Sequence, residues 1–209
     1  MAGTILWDVD TQVDFMEPAG KLYVPGAAEL ASAMGRLVDA ARAAGLTHVA
    51  SVDDHELTDP ELSDTPDFAG TFPPHCLRGT RGAEKIPETK QRDPLPLSLT
   101  PYPPGLLARL VAGRRELLLL KKSFDVFTNP NADALLAALD PGEVVLFGVA
   151  TDVCDDAAIR GLLARGRRVR FVEDAARGLD EARTAACTAA WRDRGVVFTT
   201  TKEVIDSLG

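Results

Sequence analysis

The sequence predicts a three-layer α/β fold in which helices cover both faces of a six-stranded parallel sheet. Short apolar runs alternate with segments whose apolar residues recur at helical spacing. Such repeated strand–helix units imply a parallel sheet with helices on both faces. The chain has 209 residues, which is enough for one well-packed domain and few for two. We therefore expect a single domain over residues 1–209.

The predicted strands are short apolar runs, and several of them end at polar or charged residues. In chain order they cover residues 4–9, 46–52, 116–120, 143–149, 168–172 and 196–199. The predicted helices cover residues 26–44, 106–111, 131–139, 155–164 and 181–194. The first of these helices has its apolar residues on one face, and Gly45 ends it.

The segment over residues 53–103 is rich in Pro, Asp, Thr and Gly and is predicted to be a loop. A connection of this length without regular structure is unusual in a compact domain, and loops of this size are commonly functional. Its content supports that interpretation, because Asp53 and His55 stand two residues apart and His75 follows downstream. Oxygen and nitrogen donors of this kind suit Zn, Mn or Fe.

Four predicted strands deliver chemically active side chains to the same edge of the sheet. Asp10 follows the first strand, Asp53 and His55 the second, Lys121 the third and Cys154 the fourth. Each alone has an ordinary structural explanation, since a free cysteine is commonly a small buried apolar residue. In open α/β sheets, however, ligands bind outside the carboxyl ends of the strands. Together the four strand ends predict a functional site.

Three separated motifs resemble those of the isochorismatase-like cysteine hydrolases, which include the nicotinamidases. Residues 10–15, DTQVDF, are similar to the opening motif D-x-Q-x-D-F. Residues 53–55 and 72–76, the latter FPPHC, resemble the nicotinamidase metal loop. Residues 148–154, GVATDVC, resemble the nucleophile motif G-x-A-T-D-x-C. The resemblance extends from about residue 4 to residue 200, and it implies the isochorismatase-like hydrolase fold.

The resemblance implies a catalytic triad of Asp10, Lys121 and Cys154. The backbone N–H groups of Ala150 and Cys154 would form the oxyanion hole, next to a cis Val149–Ala150 peptide bond. Lys122 is the alternative to Lys121, since neighbouring side chains on a strand point to opposite faces. Lys121 is preferred because it stands six residues before a phenylalanine, as the lysine of the family does.

The resemblance also implies one divalent metal ion, Zn, Mn or Fe, bound by Asp53, His55, Glu61 and His75. Alignment through residues 65–68 puts Glu61 where many nicotinamidases have a histidine, and Asp59 and Asp64 are the alternatives. An anionic ligand in place of a neutral imidazole should favour Mn or Fe over Zn. Separately, Phe15 and Phe72 would flank an aromatic substrate, with ordinary core packing as the alternative.

The function implied is that of a nicotinamidase-like cysteine amidohydrolase, converting nicotinamide or a related carboxamide to the acid and ammonia through a thioester. The alternatives are an isochorismatase-like hydrolase of another small amide or ester, and a non-catalytic metabolite-binding member. The formal charge of −8 without a basic run makes nucleic acid and anionic membranes poor partners.

Cellular location is predicted from what the sequence lacks and from its cysteines. There is no apolar segment of roughly 20 residues and no secretory signal. The three cysteines are widely separated and odd in number, which suits a reducing cytoplasm. Homo-oligomerisation is left open.

Overall fold

A parallel sheet of seven strands forms the centre of the computed structural model, which describes residues 3–208. The strands are β1 (Thr4–Val9), β2 (Thr47–Asp53), β3 (Leu95–Leu97), β4 (Glu116–Lys121), β5 (Glu143–Val149), β6 (Arg168–Arg177) and β7 (Val197–Thr199). Their order across the sheet is β3-β4-β2-β1-β5-β6-β7, and every neighbouring pair is parallel. Met1, Ala2 and Gly209, which end the predicted domain, lie outside the described residues.

Helices cover both faces of this sheet, which confirms the predicted α/β class. They are α1 (Val13–Met16), α2 (Ala31–Ala43), α3 (Pro104–Val111), α4 (Ala132–Leu139), α5 (Asp156–Ala164), α6 (Glu181–Asp193) and α7 (Thr201–Leu208). Residues of α2 and α7 pack into the core on one face, and residues of α3, α4, α5 and α6 pack into the core on the other. Because the central strands are covered on both sides, all seven residues of β2 are buried. Within residues 3–208, no helix combines the length and apolarity needed to cross a membrane.

The prediction of six strands is wrong, because β3 lies inside the segment predicted to be a loop. β3 has only three residues and carries Pro96 at its centre. Proline has no N–H for a sheet ladder, so a proline inside an apolar run argues against a strand. The sheet accommodates Pro96 because β3 pairs with β4 alone and forms the edge.

Several predicted elements have shifted ends, and α7 has no counterpart among the predicted helices. The predicted helix over residues 26–44 begins as a 3₁₀ turn, Ala27–Leu30, before α2 starts. β6 continues to Arg177 rather than ending at Val172, after a register shift opposite β5. Asp174 in this extension accepts hydrogen bonds from the N–H and the hydroxyl of Thr201 and so fixes the start of α7.

The order of the strands reverses between β1 and β5. Strands β2, β4 and β3 lie on one side of β1, and strands β5, β6 and β7 lie on its other side. Open α/β sheets bind their ligands outside the strand ends at such a switch point. The carboxyl ends of β1, β2, β4 and β5 meet here, and they carry the residues that the sequence analysis singles out.

Candidate active site

Asp10 follows β1 and has a left-handed backbone conformation, with a φ of 49°. This conformation is uncommon for residues other than glycine, and two contacts with β2 hold it. The Asp10 N–H donates to the carbonyl oxygen of Ser51 at 3.2 Å, and the Ser51 hydroxyl donates to Oδ1 of Asp10 at 2.7 Å. The remaining carboxylate oxygen, Oδ2, lies 2.8 Å from Nζ of Lys121.

Lys121 is the last residue of β4 and is completely buried. Besides Asp10, its Nζ contacts Oδ1 of Asp53 at 2.5 Å and Sγ of Cys154 at 3.9 Å. The structure therefore brings together the three residues of the predicted triad and places the carboxylate of Asp53 on the same ammonium group.

Cys154 lies in a π-helical turn, Thr151–Asp155, that joins β5 to α5. Single π-helical turns are frequent at functional sites. The turn is entered through Gly148, which has a φ of 142° and passes so close to β1 that a Cβ there would lie 2.1 Å from the carbonyl oxygen of Val9. The Val149–Ala150 peptide bond, one residue further on, is cis, as the family resemblance implies.

The charges around the triad leave a neutral thiol beside a cationic lysine. Burial raises the pKa of Cys154 well above its usual value, and Lys121 opposes this only in part. Burial also raises the pKa of Asp10, against the opposing effect of Lys121. For Lys121, burial alone would lower the pKa, but the carboxylates of Asp10 and Asp53 outweigh it and raise the pKa well above the usual range. A neutral thiol requires a base before it can attack a carbonyl carbon, and Asp10 is a carboxylate available for that role.

A second group of side chains, which we call the four-ligand cluster, consists of Asp53, His55, Glu61 and His75. All four are buried, and one potential ligand atom from each lies within 4.8 Å of the others. Oδ2 of Asp53 and Nε2 of His55 are fully buried and have no hydrogen-bond partner among the described residues. Buried polar atoms are normally paired, so orphaned atoms in one cluster fit a bound cation. Carboxylate and imidazole donors suit Zn²⁺, Mn²⁺ and Fe²⁺.

Contacts behind the cluster determine which nitrogen each histidine presents to it. Nδ1 of His55 lies 3.1 Å from Oδ2 of Asp59, and Nδ1 of His75 lies 2.8 Å from the carbonyl oxygen of Pro73. With Nδ1 engaged, Nε2 of each ring remains for a cation. Oδ2 of Asp59 also lies 3.0 Å from Nζ of Lys122. Lys122 therefore contacts Asp59, the residue behind the His55 ring, whereas Lys121 contacts the other two members of the predicted triad.

Glu61, rather than either alternative considered from the sequence, belongs to the four-ligand cluster. Its Oε2 accepts a hydrogen bond from the N–H of Phe124 at 2.6 Å, and its Oε1 lies 3.7 Å from Nε2 of His55. Asp59 contacts the far side of the His55 ring, and Asp64 is exposed outside the cluster. Burial raises the pKa of Glu61.

A small cavity opens onto Cys154 and onto members of the four-ligand cluster. Most of its wall is apolar, formed by Phe15, Leu22, Val24, Phe72, Phe124, Val153 and Leu179. The rings of Phe15 and Phe72 lie 5.1 Å and 6.3 Å from the His75 ring, measured between centroids. Both phenylalanines are buried, so they belong to the core as well as to the cavity wall. Among the described residues, no lysine or arginine lines this cavity.

Asp152 in the nucleophile motif holds one wall of the cavity in place. Its buried carboxylate accepts hydrogen bonds from the N–H of Leu179 at 2.7 Å and from the N–H of Asp180 at 3.2 Å. Nε of Arg183 lies 3.0 Å from the same carboxylate. The turn that carries the cysteine is therefore tied directly to the segment that follows β6.

The sequence analysis assigns no role to Asp14 or Ser51, although both support the site. Oδ2 of Asp14 accepts a hydrogen bond from the N–H of Cys76 at 2.7 Å, which ties the loop carrying His75 to the segment after β1. Its place in the D-x-Q-x-D-F motif is a signal that could have indicated such a role. Ser51 has no comparable signal, because its partner Asp10 is 41 residues away.

The pattern of the isochorismatase domain matches residues 99–203, half of the chain, and this stretch includes Lys121 and Cys154. Over 81 residues the chain is 43% identical to the nicotinamidase/pyrazinamidase of Mycobacterium tuberculosis (strain ATCC 25618 / H37Rv). The matched stretch makes up 38% of this chain and 41% of that relative, which is less than half of either protein.

Several solved structures resemble the whole fold, among them an amidase and a pyrazinamidase. N-carbamoylsarcosine amidase from Thermoplasma acidophilum has a TM-score of 0.71 and 24% identity, covering 95% of this chain and 96% of that chain. Pyrazinamidase of Pyrococcus horikoshii, in complex with zinc, has a TM-score of 0.72 and 22% identity, covering 94% and 98%. At these identities the similarity shows a shared fold, and the substrate has to be argued from the site.

Proposed function

The chain belongs to the isochorismatase domain family, and we propose that it is a nicotinamidase-like cysteine amidohydrolase. Its substrate would be nicotinamide or a related uncharged aromatic carboxamide, which it would convert to the acid and ammonia. The observation that carries the proposal is the position of Lys121, whose ammonium contacts Asp10, Cys154 and Asp53. One buried side chain thereby connects a cysteine nucleophile with a cluster of potential metal ligands at a single cavity.

In the proposed reaction, the thiol proton of Cys154 passes to Asp10 while Sγ forms a bond to the carboxamide carbon. Lys121 stabilises the negative charge on sulfur, and the backbone N–H groups of Ala150 and Cys154 stabilise the oxyanion. Protonated Asp10 then donates its proton to the amide nitrogen, the C–N bond breaks, and ammonia leaves a thioester on Cys154. A water molecule that loses a proton to Asp10 cleaves the thioester, releasing the acid and restoring the thiol.

The orphaned ligand atoms support a cation at the four-ligand cluster as part of this proposal. A bound divalent ion would supply a Lewis-acidic anchor for the ring nitrogen of a pyridine carboxamide. Phe15 and Phe72 would flank the ring, and the apolar wall would exclude water from it. Fixing the ring orients the carboxamide towards Sγ of Cys154, and such orientation increases the rate only for substrates that can use the anchor.

The charge of the cavity favours an uncharged substrate over one that carries its own carboxylate. Asp53 and Glu61 contribute acidic groups to the cavity lining, and no described lysine or arginine offers a partner for an anion. A carbamoylated amino acid, the class named for the Thermoplasma relative, would bring a carboxylate that no described lysine or arginine of the lining could pair with. The four-ligand cluster also argues against metal-independent cleavage of a vinyl ether, the reaction of isochorismatase. The assembled triad argues against a purely binding role.

The proposal is tested by comparing nicotinamide with benzamide, which has no ring nitrogen. We expect the purified protein to carry about one divalent metal ion per chain. Removing it with a chelator should reduce nicotinamide hydrolysis far more than benzamide hydrolysis, measured as ammonia release and accompanied by elemental analysis. Cys154→Ala should abolish release from both amides, and Cys76→Ala should retain it. Equal losses for the two amides, or rapid nicotinamide hydrolysis by a metal-free protein, would contradict the proposal.

A further inference from the structure

The side chain of Gln12 is completely buried, and both of its polar atoms are engaged by backbone groups. Its Oε1 accepts a hydrogen bond from the N–H of Asp53 at 2.7 Å, and its Nε2 donates to the carbonyl oxygen of Asp53 at 2.8 Å. Nε2 also donates to the carbonyl oxygen of Ala83 at 2.9 Å. The amide therefore binds both backbone groups of a single residue, as a neighbouring strand would.

The strand geometry explains why an amide is needed at this position. β1 pairs with β2 up to Val9 and Ser51, after which the chain leaves the sheet at Asp10. The backbone groups of Asp53, two residues beyond Ser51 on β2, face the side that β1 has just left. Buried N–H and C=O groups without partners are costly, and the Gln12 amide replaces the missing peptide group.

We propose that Gln12 is a positioning residue for metal binding, which it supports by fixing the backbone of Asp53. The proposal rests on the proposed function in one respect, namely that the four-ligand cluster binds a divalent cation. The position of the Asp53 backbone matters because the carboxylate contacts two groups at once. Its Oδ1 contacts Nζ of Lys121 at 2.5 Å, and its Oδ2 lies 3.5 Å from Nε2 of His75. A shift of its backbone would move the carboxylate relative to both groups.

The chain offers a matched control for this role in Gln91. This glutamine is also buried, and its Nε2 also donates to two backbone carbonyl oxygens, those of His48 at 2.9 Å and Leu117 at 3.2 Å. His48 lies near the amino end of β2, so Gln91 supports the same strand at the end away from the cluster. A methionine at either position keeps the approximate shape and removes the hydrogen bonds.

The experiment measures the dissociation constant of Zn²⁺ by calorimetry on chelator-treated full-length protein. We expect Gln12→Met to weaken Zn²⁺ binding roughly 10-fold or more, the usual effect of removing a group that orients a metal ligand. Gln91→Met should leave the constant unchanged even where it lowers the melting temperature. Amide hydrogen exchange of the metal-free protein should show faster exchange at Asp53 in Gln12→Met than in Gln91→Met.

If Gln12→Met does not fold, Gln12→Asn serves in its place, because it keeps a neutral amide that is one methylene too short to reach the backbone of Asp53 in the same way. Unchanged Zn²⁺ affinity in the Gln12 variant, or equal weakening in the Gln91 variant, would overturn the positioning role while leaving the proposed function intact. Failure of the unsubstituted protein to bind any of Zn²⁺, Mn²⁺ and Fe²⁺ would instead overturn the metal site and the positioning role together.

Discussion

At the residue scale, two adjacent lysines are expected to have different effects on the nucleophile. Nζ of Lys121 lies 3.9 Å from Sγ of Cys154, whereas Nζ of Lys122 lies 3.0 Å from Asp59. Lys121 opposes the effect of burial on the pKa of Cys154, so Lys121→Met should raise that pKa further. Iodoacetamide labelling of Cys154 should then require a higher pH in Lys121→Met and the usual pH in Lys122→Met. The reverse pattern would show that the wrong lysine has been assigned.

A second prediction at this scale concerns the choice of metal at Glu61. Glu61→His replaces a carboxylate with a neutral imidazole and so raises the net charge of the four-ligand cluster by one unit. A nitrogen donor favours Zn²⁺ relative to Mn²⁺, so the ratio of the two affinities should move towards Zn²⁺. Competition titration of the two metals measures the ratio. Glu61→Gln is the control, since it removes the charge without adding a nitrogen ligand, and an unchanged ratio in Glu61→His would contradict the argument.

The site residues that lie at strand ends could be predicted from the sequence, whereas the residues that hydrogen-bond to them could not. Asp10, Lys121 and Cys154 follow apolar runs, so their meeting at one edge follows from the fold class. Ser51 and Asp59 act through hydrogen bonds to Asp10 and His55, and those bonds depend on register and loop path. Neither property can be obtained from apolar periodicity in a single sequence.

At the element scale, Asp152 joins the turn carrying Cys154 to the segment after β6 and to α6. We expect Asp152→Ala to release Leu179 from the cavity wall and thereby raise KM for nicotinamide more than it lowers kcat. Losing a buried acceptor of charged hydrogen bonds should also reduce the free energy of unfolding by about 1.5–3 kcal/mol. Steady-state kinetics and urea denaturation measure the two effects. Arg183→Ala, which removes the ion pair and keeps the backbone contacts, should have the smaller effect on KM, and a larger one would contradict this account.

Most elements with a strong apolar pattern were predictable, and of the two that were missed β3 lacks such a pattern. β5 is a nearly continuous apolar run because both of its faces are covered. β3 exists because a three-residue stretch pairs with β4, which its own proline-containing sequence does not indicate. α7 is fixed in part by the contact of Thr201 with Asp174, 27 residues earlier. Such tertiary contacts override local propensity.

At the scale of the whole molecule, a buried ion pair fastens the long loop of residues 53–103 to the centre of the sheet. Nζ of Lys85 lies 2.7 Å from Oδ2 of Asp8 in β1 and also donates to the hydroxyl of Thr11 at 2.7 Å. The Thr11 hydroxyl is 2.6 Å from that of Thr89. Asp8 and Lys85 are 77 residues apart, so no local pattern in the sequence predicts the pair.

This ion pair makes stability depend on pH, and Lys85→Met should reverse the direction of that dependence. Burial raises the pKa of Asp8, but Lys85 and His48 outweigh this effect, so the pKa lies below its usual value. The carboxylate therefore stabilises the fold at neutral pH, and this contribution is lost as the pH falls through the lowered pKa. Without Lys85 we expect burial to dominate and raise this pKa, so the variant should lose stability as the pH rises through the raised value.

Breaking a buried pair from one side costs about 3–5 kcal/mol when the other charge stays ionised. Urea denaturation should therefore show a loss near that size in Lys85→Met at neutral pH and a smaller loss near the usual pKa of an aspartate. The control is Lys90→Met, because Lys90 and its partner Glu84 are both mostly exposed and their pair should contribute under ~1 kcal/mol. A loss of stability in Lys85→Met that does not change with pH would show that the pair contributes through packing rather than through charge.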